Sequence, residues 1–154
     1  MKVESSVIRN VRESLAKIFD KAGIREVDAN VLAELLIRDR DMDVQEIAEN
    51  LGYSLSGVTG SLHRLMRLHL IVRKKEGKRY LYRSESNVLS VFLRLLEDIY
   101  NHDLPRVMRL VKEKVGDLKG EEERIVRELD KKLEKAAEYL GTLIELLEDY
   151  SEVV

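Results

Sequence analysis

Val44-Gln45-Glu46-Ile47-Ala48-Glu49-Asn50-Leu51-Gly52, then Ser54-Leu55-Ser56-Gly57-Val58-Thr59-Gly60-Ser61-Leu62-His63-Arg64-Leu65, then Ile71-Val72-Arg73-Lys74-Lys75-Glu76-Gly77-Lys78-Arg79-Tyr80-Leu81-Tyr82 decide how this chain folds. Ile47, Leu51, Val58, Leu62 and Leu65 recur at helical spacing and supply an apolar wedge between two short helices. Asp43, with Glu46 three residues later, resembles a capping box, and Ser54 can cap the second helix. Ala48 is small where the helices cross. Gly52, four residues on, lets the chain leave through a left-handed conformation. A basic hairpin follows, with its turn expected at Glu76-Gly77. Two helices at a steep angle with a cationic flap behind them have the shape that enters a DNA major groove.

Charge supports that reading. The chain has 154 residues and a net charge of only −2. From Leu62 to Arg83, however, eight Lys or Arg stand against one acid, Glu76, whereas Asp117 to Val154 holds six basic and twelve acidic residues. Such asymmetry predicts one surface that meets phosphates and another that faces water or a partner. With no cysteine, disulfides and thiolate metal sites are excluded. No apolar run approaches the roughly 20 residues of a membrane span, so the expectation is a soluble, cytoplasmic protein without a membrane partner. The 36% charged content and single glutamine lean towards a thermophile.

Around this centre the chain is helical. Ile8, Val11, Leu15 and Ile18 form the stripe of a helix over about residues 4–22, stopped by Gly23. Asp28 is expected to cap a second helix carrying Val31, Leu32, Leu35 and Leu36, and Met42 to add a short strand beside the hairpin. Ser84 to Asn87 lead into a helix with Val88, Phe92, Leu95, Leu96 and Ile99 on one face. Pro105 is expected to kink or restart it. In the last helix Val126, Leu129, Leu133, Ala136, Leu140, Leu143, Leu147 and Tyr150 alternate steps of three and four, a heptad pattern. A small winged domain has too little surface to cover all these stripes, so two chains are expected to pair. The dimerisation residues are then Ile8, Val11, Leu15, Ile18, Val126, Leu129, Leu133, Leu140, Leu143 and Leu147.

This layout resembles the winged-helix regulators of the MarR superfamily, closest to their GbsR-like branch, well represented in archaea. The resemblance is carried by Glu46 to Gly52, by Gly57 to Leu65, and by Leu70-Ile71-Val72 entering the wing. It departs in a short wing and in Gly60, which stands where such families often place a base-contacting side chain. The resemblance implies a homodimer held by terminal helices on a pseudo-palindromic operator. The expected fold is mainly α: an N-terminal dimerisation helix over residues 1–26, a winged helix-turn-helix DNA-binding domain with a small β-hairpin wing over 27–86, and a C-terminal helical dimerisation region over 87–154.

On a helical wheel the second helix buries Leu55, Val58, Leu62 and Leu65 and turns Ser56, Thr59, Gly60, His63 and Arg67 outward, with Arg64 at the flank. The expected DNA contacts are Ser54, Ser56, Gly57, Thr59, Gly60, His63, Arg64 and Arg67, with Arg73, Lys74, Lys75, Lys78 and Arg79 of the wing on phosphates. Two glycines inside a helix cost about 1 kcal/mol each, which predicts close backbone approach to the duplex. Tyr80 and Tyr82 alternate with Leu81, which places one face of that strand in the core. His63, His69 and His102 lack metal-ligand spacing, and no nucleophile elbow, phosphate-cradling glycine loop or triad is present. No catalytic residue, metal or cofactor is expected. The resemblance also implies a crevice between the helical bundle and the winged domain, which Tyr100, His102 and Arg106 are expected to line around a small-molecule effector. Two other classes stay open: a protein-interaction adaptor, and an architectural protein that binds duplexes without sequence preference.

Overall fold

A computed structural model describes residues 4–85 and 88–153, with side chains as far as Asp149. Ser86 and Asn87, at the expected domain boundary, and the side chain of Tyr150, the last member of the heptad pattern, lie outside the described residues. Two compact units divide between Val91 and Phe92.

The first unit runs α1 (Ser6–Lys21), α2 (Glu26–Arg38), α3 (Val44–Leu51), α4 (Leu55–Arg67), β1 (Ile71–Glu76) and β2 (Arg79–Ser84). Its core gathers around α2, whose Ala29, Val31, Leu32, Ala33 and Leu35 are fully buried. The caps read from sequence are present. The Glu46 amide donates to Asp43 Oδ1 at 2.8 Å, and the Gly57 amide donates to Ser54 Oγ at 3.0 Å. Gly52 closes α3 at φ +72°, where its amide reaches the Ala48 carbonyl at 2.8 Å. Only the reciprocal half of the capping box differs, because the Glu46 carboxylate is held by Arg40. Met42 pairs with Tyr82 through two backbone hydrogen bonds of 2.9 and 2.8 Å, giving the hairpin a short third edge. The hairpin turn is Gly77-Lys78, one residue later than expected, since Glu76 and Arg79 are register partners and Gly77 takes the positive φ of +64°.

Two helices differ from expectation in ways that matter. Asp28 does not cap α2: Arg25 occupies that position without a side-chain bond, and Asp28 is buried in the first turn. The Ile24 amide is tied to the Phe19 carbonyl at 3.1 Å, so α2 begins at once and carries Asp28 inside. The face that α1 buries is Arg12, Ala16 and Phe19, whereas Val11 and Ile18 of the expected stripe stay exposed. Arg12 is tolerated there by a buried ionic quartet. Its guanidinium donates twice to Glu4 at 2.7 Å and once to the fully buried Glu34 at 2.9 Å. Arg38 joins Glu34 at 2.5 Å and Glu4 at 3.0 Å.

The second unit takes up most of α5 (Val88–Asp98), then a π turn (Ile99–Asp103), α6 (Leu104–Lys114), a short 3-10 turn (Val115–Asp117) and α7 (Gly120–Val153). Pro105 stands in the first turn of α6, where the α-helix restarts after the π turn, as expected. The helix continues in αR geometry and widens, and the Leu104 amide reaches back five residues to the Ile99 carbonyl. Proline has no N–H and its ring crowds the carbonyl four residues earlier, which the wider turn accommodates. Leu93 and Ile144 are the buried apolar side chains of this unit among the described residues.

The heptad pattern of α7 splits between two faces. Val126, Leu133, Ala137, Leu140 and Ile144 are shielded on the side that packs on α6 and its flanking turns. Ile125, Leu129, Ala136, Tyr139, Leu143 and Leu146 form a second stripe left exposed.

Candidate nucleic-acid interface

Helix α4 is held at its start by the Ser54 cap and along its length by Val58, Leu62 and Leu65, all fully buried. Ser56, His63 and Arg67 are exposed and Thr59 and Gly60 half-buried on the opposite side, as the wheel predicts. Leu55 is the exception: it is 56% exposed, because it lies at the first turn, beyond the reach of the core. The Thr59 hydroxyl donates to the Leu55 carbonyl at 2.8 Å, so an incoming group meets its remaining lone pair and methyl.

Of the two glycines, Gly57 has an internal reason. A Cβ on Gly57 would lie 3.0 Å from Ser54 Oγ and crowd the cap. A Cβ on Gly60 would lie 3.4 Å from Arg64 Nη1. That guanidinium folds across α4 and grips Asp28 of α2, donating from Nε to Oδ2 and from Nη2 to Oδ1, both at 2.9 Å. Asp28 is buried, and its carboxylate holds Arg64 more firmly protonated than an ordinary arginine. Arg64 is therefore a brace between α2 and α4 here, and would reach a base only by leaving Asp28.

The wing cations are of two kinds. Lys74 pairs with Asp41 at 2.7 Å, and Arg79 pairs with Asp43 at 3.0 Å. Hydrogen bonding to Lys74 holds the Asp41 carboxyl below its ordinary value. Arg83 donates to the Asp39 carbonyl at 2.6 Å. By contrast Arg73 and Lys75 lie over the ring of Tyr80, at 4.2 and 5.8 Å from its centre. Arg73 also lines a groove of about 560 Å³ with His63, Met66 and Arg67 of α4. Arg67, Arg73, Lys75 and Lys78 have no acidic partner among the described residues. Tyr82 is buried and so is its neighbour Leu81, because Met42 lies beside the strand on one side and helices cover the other. Sequence reasoning assigned Tyr80 nothing; its signal was the period of two shared with Arg73 and Lys75.

The second unit holds a cavity of about 690 Å³ lined by Tyr100, Leu104, Pro105, Met108, Arg109 and Lys112, among others. Tyr100 is brought there by the π turn, and Gly141 of α7 gives it room: a Cβ would come 3.1 Å from the phenol oxygen. His102 and Arg106 do not line it. They stand exposed beside Asp98 at 3.1 Å and Asp103 at 3.7 Å. Among the described residues no cluster of His, Cys, Asp or Glu could hold a metal, and no helix is long and apolar enough to cross a membrane.

Residues 19–86 match the family described as "Sugar-specific transcriptional regulator TrmB". No curated protein matches the chain. A solved structure described as a transcriptional regulator has a TM-score of 0.71 at 18% identity, covering 95% of this chain and 99% of its own, which shows the fold. A protein of the thermoacidophilic archaeon Sulfolobus tokodaii is 28% identical over 62% of this chain and 97% of its own, with a TM-score of 0.48. MarR from E. coli is 15% identical over 86% of this chain and 96% of its own, with a TM-score of 0.43. The matched family and the structure that shares the fold are both described as transcriptional regulators.

Proposed function

We propose that this chain is a DNA-binding transcriptional regulator that works in the cytoplasm as a homodimer on the MarR and GbsR-like plan, setting α4 into the major groove of an inverted-repeat operator. The observation that carries the reading is the outer side of α4: Ser56, His63 and Arg67 are exposed and Thr59 is half-buried, and His63 and Arg67 share a groove with the wing cation Arg73, which has no acidic partner among the described residues. Short hydroxyls and an arginine suit base edges, and the wing cations suit phosphates. Residues 27–86 meet DNA, and residues 1–26 and 87–154 join the copies. The exposed stripes of α1 (Val7, Val11, Ile18) and α7 (Leu129, Leu143, Leu146) supply the apolar surface for pairing. The cavity beside Tyr100 is the place for a small-molecule effector, with Arg109 and Lys112 favouring one that carries negative charge.

Selection from random duplexes tests this reading. Recovery of an inverted repeat with half-sites about 10 bp apart is the expected result. Arg67→Ala should then cost about 1–3 kcal/mol and relax preference at one position of each half-site. Equal weakening on every sequence would demote Arg67 to a phosphate contact, and binding without a motif would leave an architectural protein. An adaptor has one observation in its favour, the exposed Leu55, but a single leucine makes no apolar patch. Dimerisation has its own check. Leu143→Asp with Leu146→Asp, both on the exposed stripe, should convert the dimer to a monomer by light scattering. A dimer that persists unchanged would rule this stripe out as the interface.

A further inference from the structure

Strand alternation divides the cations of the wing between two faces. Register pairs Lys74 with Leu81, Glu76 with Arg79 and Val72 with Arg83, so Lys74, Arg79 and Arg83 share one side. Arg73, Lys75, Tyr80 and Tyr82 share the other. Beside β2 runs the segment Asp39-Arg40-Asp41-Met42-Asp43, which leaves α2 through the left-handed Asp39 and is pinned where Met42 pairs with Tyr82. A period of two sends Met42 into the core and leaves the acids on either side of it on the opposite side. Each of the three acidic residues meets a cation of the first face: Asp41 meets Lys74 at 2.7 Å, Asp43 meets Arg79 at 3.0 Å, and Asp39 accepts from Arg83 through its carbonyl at 2.6 Å. Arg73 and Lys75 of the second face, which adjoins α4 at the groove of His63, Met66 and Arg67, have no acidic partner among the described residues.

We infer that the acidic edge Asp39, Asp41 and Asp43 is a specificity determinant: it cancels one face of the wing, so that only the cations beside α4 are offered to a duplex. Sequence-independent binding comes almost wholly from phosphates neutralised by Lys and Arg. An acid fixed against a lysine competes with phosphate for it and repels the backbone, which lowers affinity for random duplex more than for a site also held by base contacts. Exposed ion pairs contribute little to folding, so the pairing of these acids is not required to hold the wing in shape. The inference rests on the DNA-binding reading above.

The full chain is titrated by fluorescence anisotropy against a random-sequence duplex over a series of salt concentrations. Asp41→Asn combined with Asp43→Asn removes charge while keeping shape, and asparagine still caps α3. Affinity for random duplex is expected to rise about tenfold at the lowest salt. The dependence of log affinity on log salt should steepen by about 0.9 for each released cation that gains a phosphate. In the reverse direction, Lys74→Ala and Arg79→Ala should leave the slope nearly unchanged. Arg73→Ala and Lys75→Ala should each flatten it by about 1 per lost contact. The inference is overturned if the asparagine variant matches the native chain in affinity and slope, or if loss of Lys74 flattens the slope as much as loss of Arg73. A native chain that binds no duplex at the lowest salt overturns the DNA-binding reading instead, and with it all variants read the same baseline.

Discussion

Raising salt from about 50 to about 200 mM is expected to weaken binding of the dimer to a duplex on the order of 10⁴-fold. The figure follows from which cations are uncommitted. Arg67, Arg73, Lys75 and Lys78 have no acidic partner among the described residues, so a dimer offers about eight phosphate contacts, and a slope near −7 follows at about 0.9 per contact. All eight Lys and Arg between Leu62 and Arg83 would predict a slope about twice as steep. The measured slope therefore tests whether the ion pairs on Lys74, Arg79, Arg83 and Arg64 persist in the complex. A slope near zero would refute phosphate binding altogether, and one near −14 would show that DNA displaces the acids.

Glu34→Ala should lower unfolding free energy by about 3–5 kcal/mol, much of what a domain of this size possesses. Glu34 is fully buried and accepts from Arg12 at 2.9 Å and from Arg38 at 2.5 Å, so its removal leaves two guanidiniums, that of Arg12 itself buried, on the single carboxylate of Glu4. Arg12→Met together with Glu34→Met should cost less than Glu34→Ala alone, because Glu4 and Arg38 then remain as one balanced pair with no excess buried charge. Denaturant titration measures both, and a loss below about 1 kcal/mol for Glu34→Ala would mean that water reaches the quartet. The same quartet sets an acid limit. The Arg12 hydrogen bond holds the Glu4 carboxyl below its ordinary value, against the opposing effect of burial. A lowered carboxyl stabilises the fold above its unfolded value and loses that contribution as pH falls through the folded one. Stability should thus decline on acidification below the usual carboxylate range, and Glu4→Gln should blunt that decline.

Local chemistry made much of the winged unit legible. The caps at Asp43 and Ser54, the left-handed exit at Gly52 and the edge at Met42 each depend on a residue and its nearest neighbours in the chain. Glycines in α4 were legible as exceptions but not in their cause. For Gly57 that cause is Ser54 Oγ, and the arginine that passes Gly60 is bent towards Asp28, a partner 36 residues away from Arg64. In the same way the heptads of α7 declared a helix with apolar seams but not which seam its own chain would take.

Periodicity and capping act over one or two turns, and so the chain alone was enough to establish helices, a hairpin and a positively charged probe. Which charges are spent internally was decided only when α2 and the segment 39–43 came alongside α4 and the wing. An ion pair depends on a distance of a few ångströms between side chains, and sequence separation carries no information about that distance.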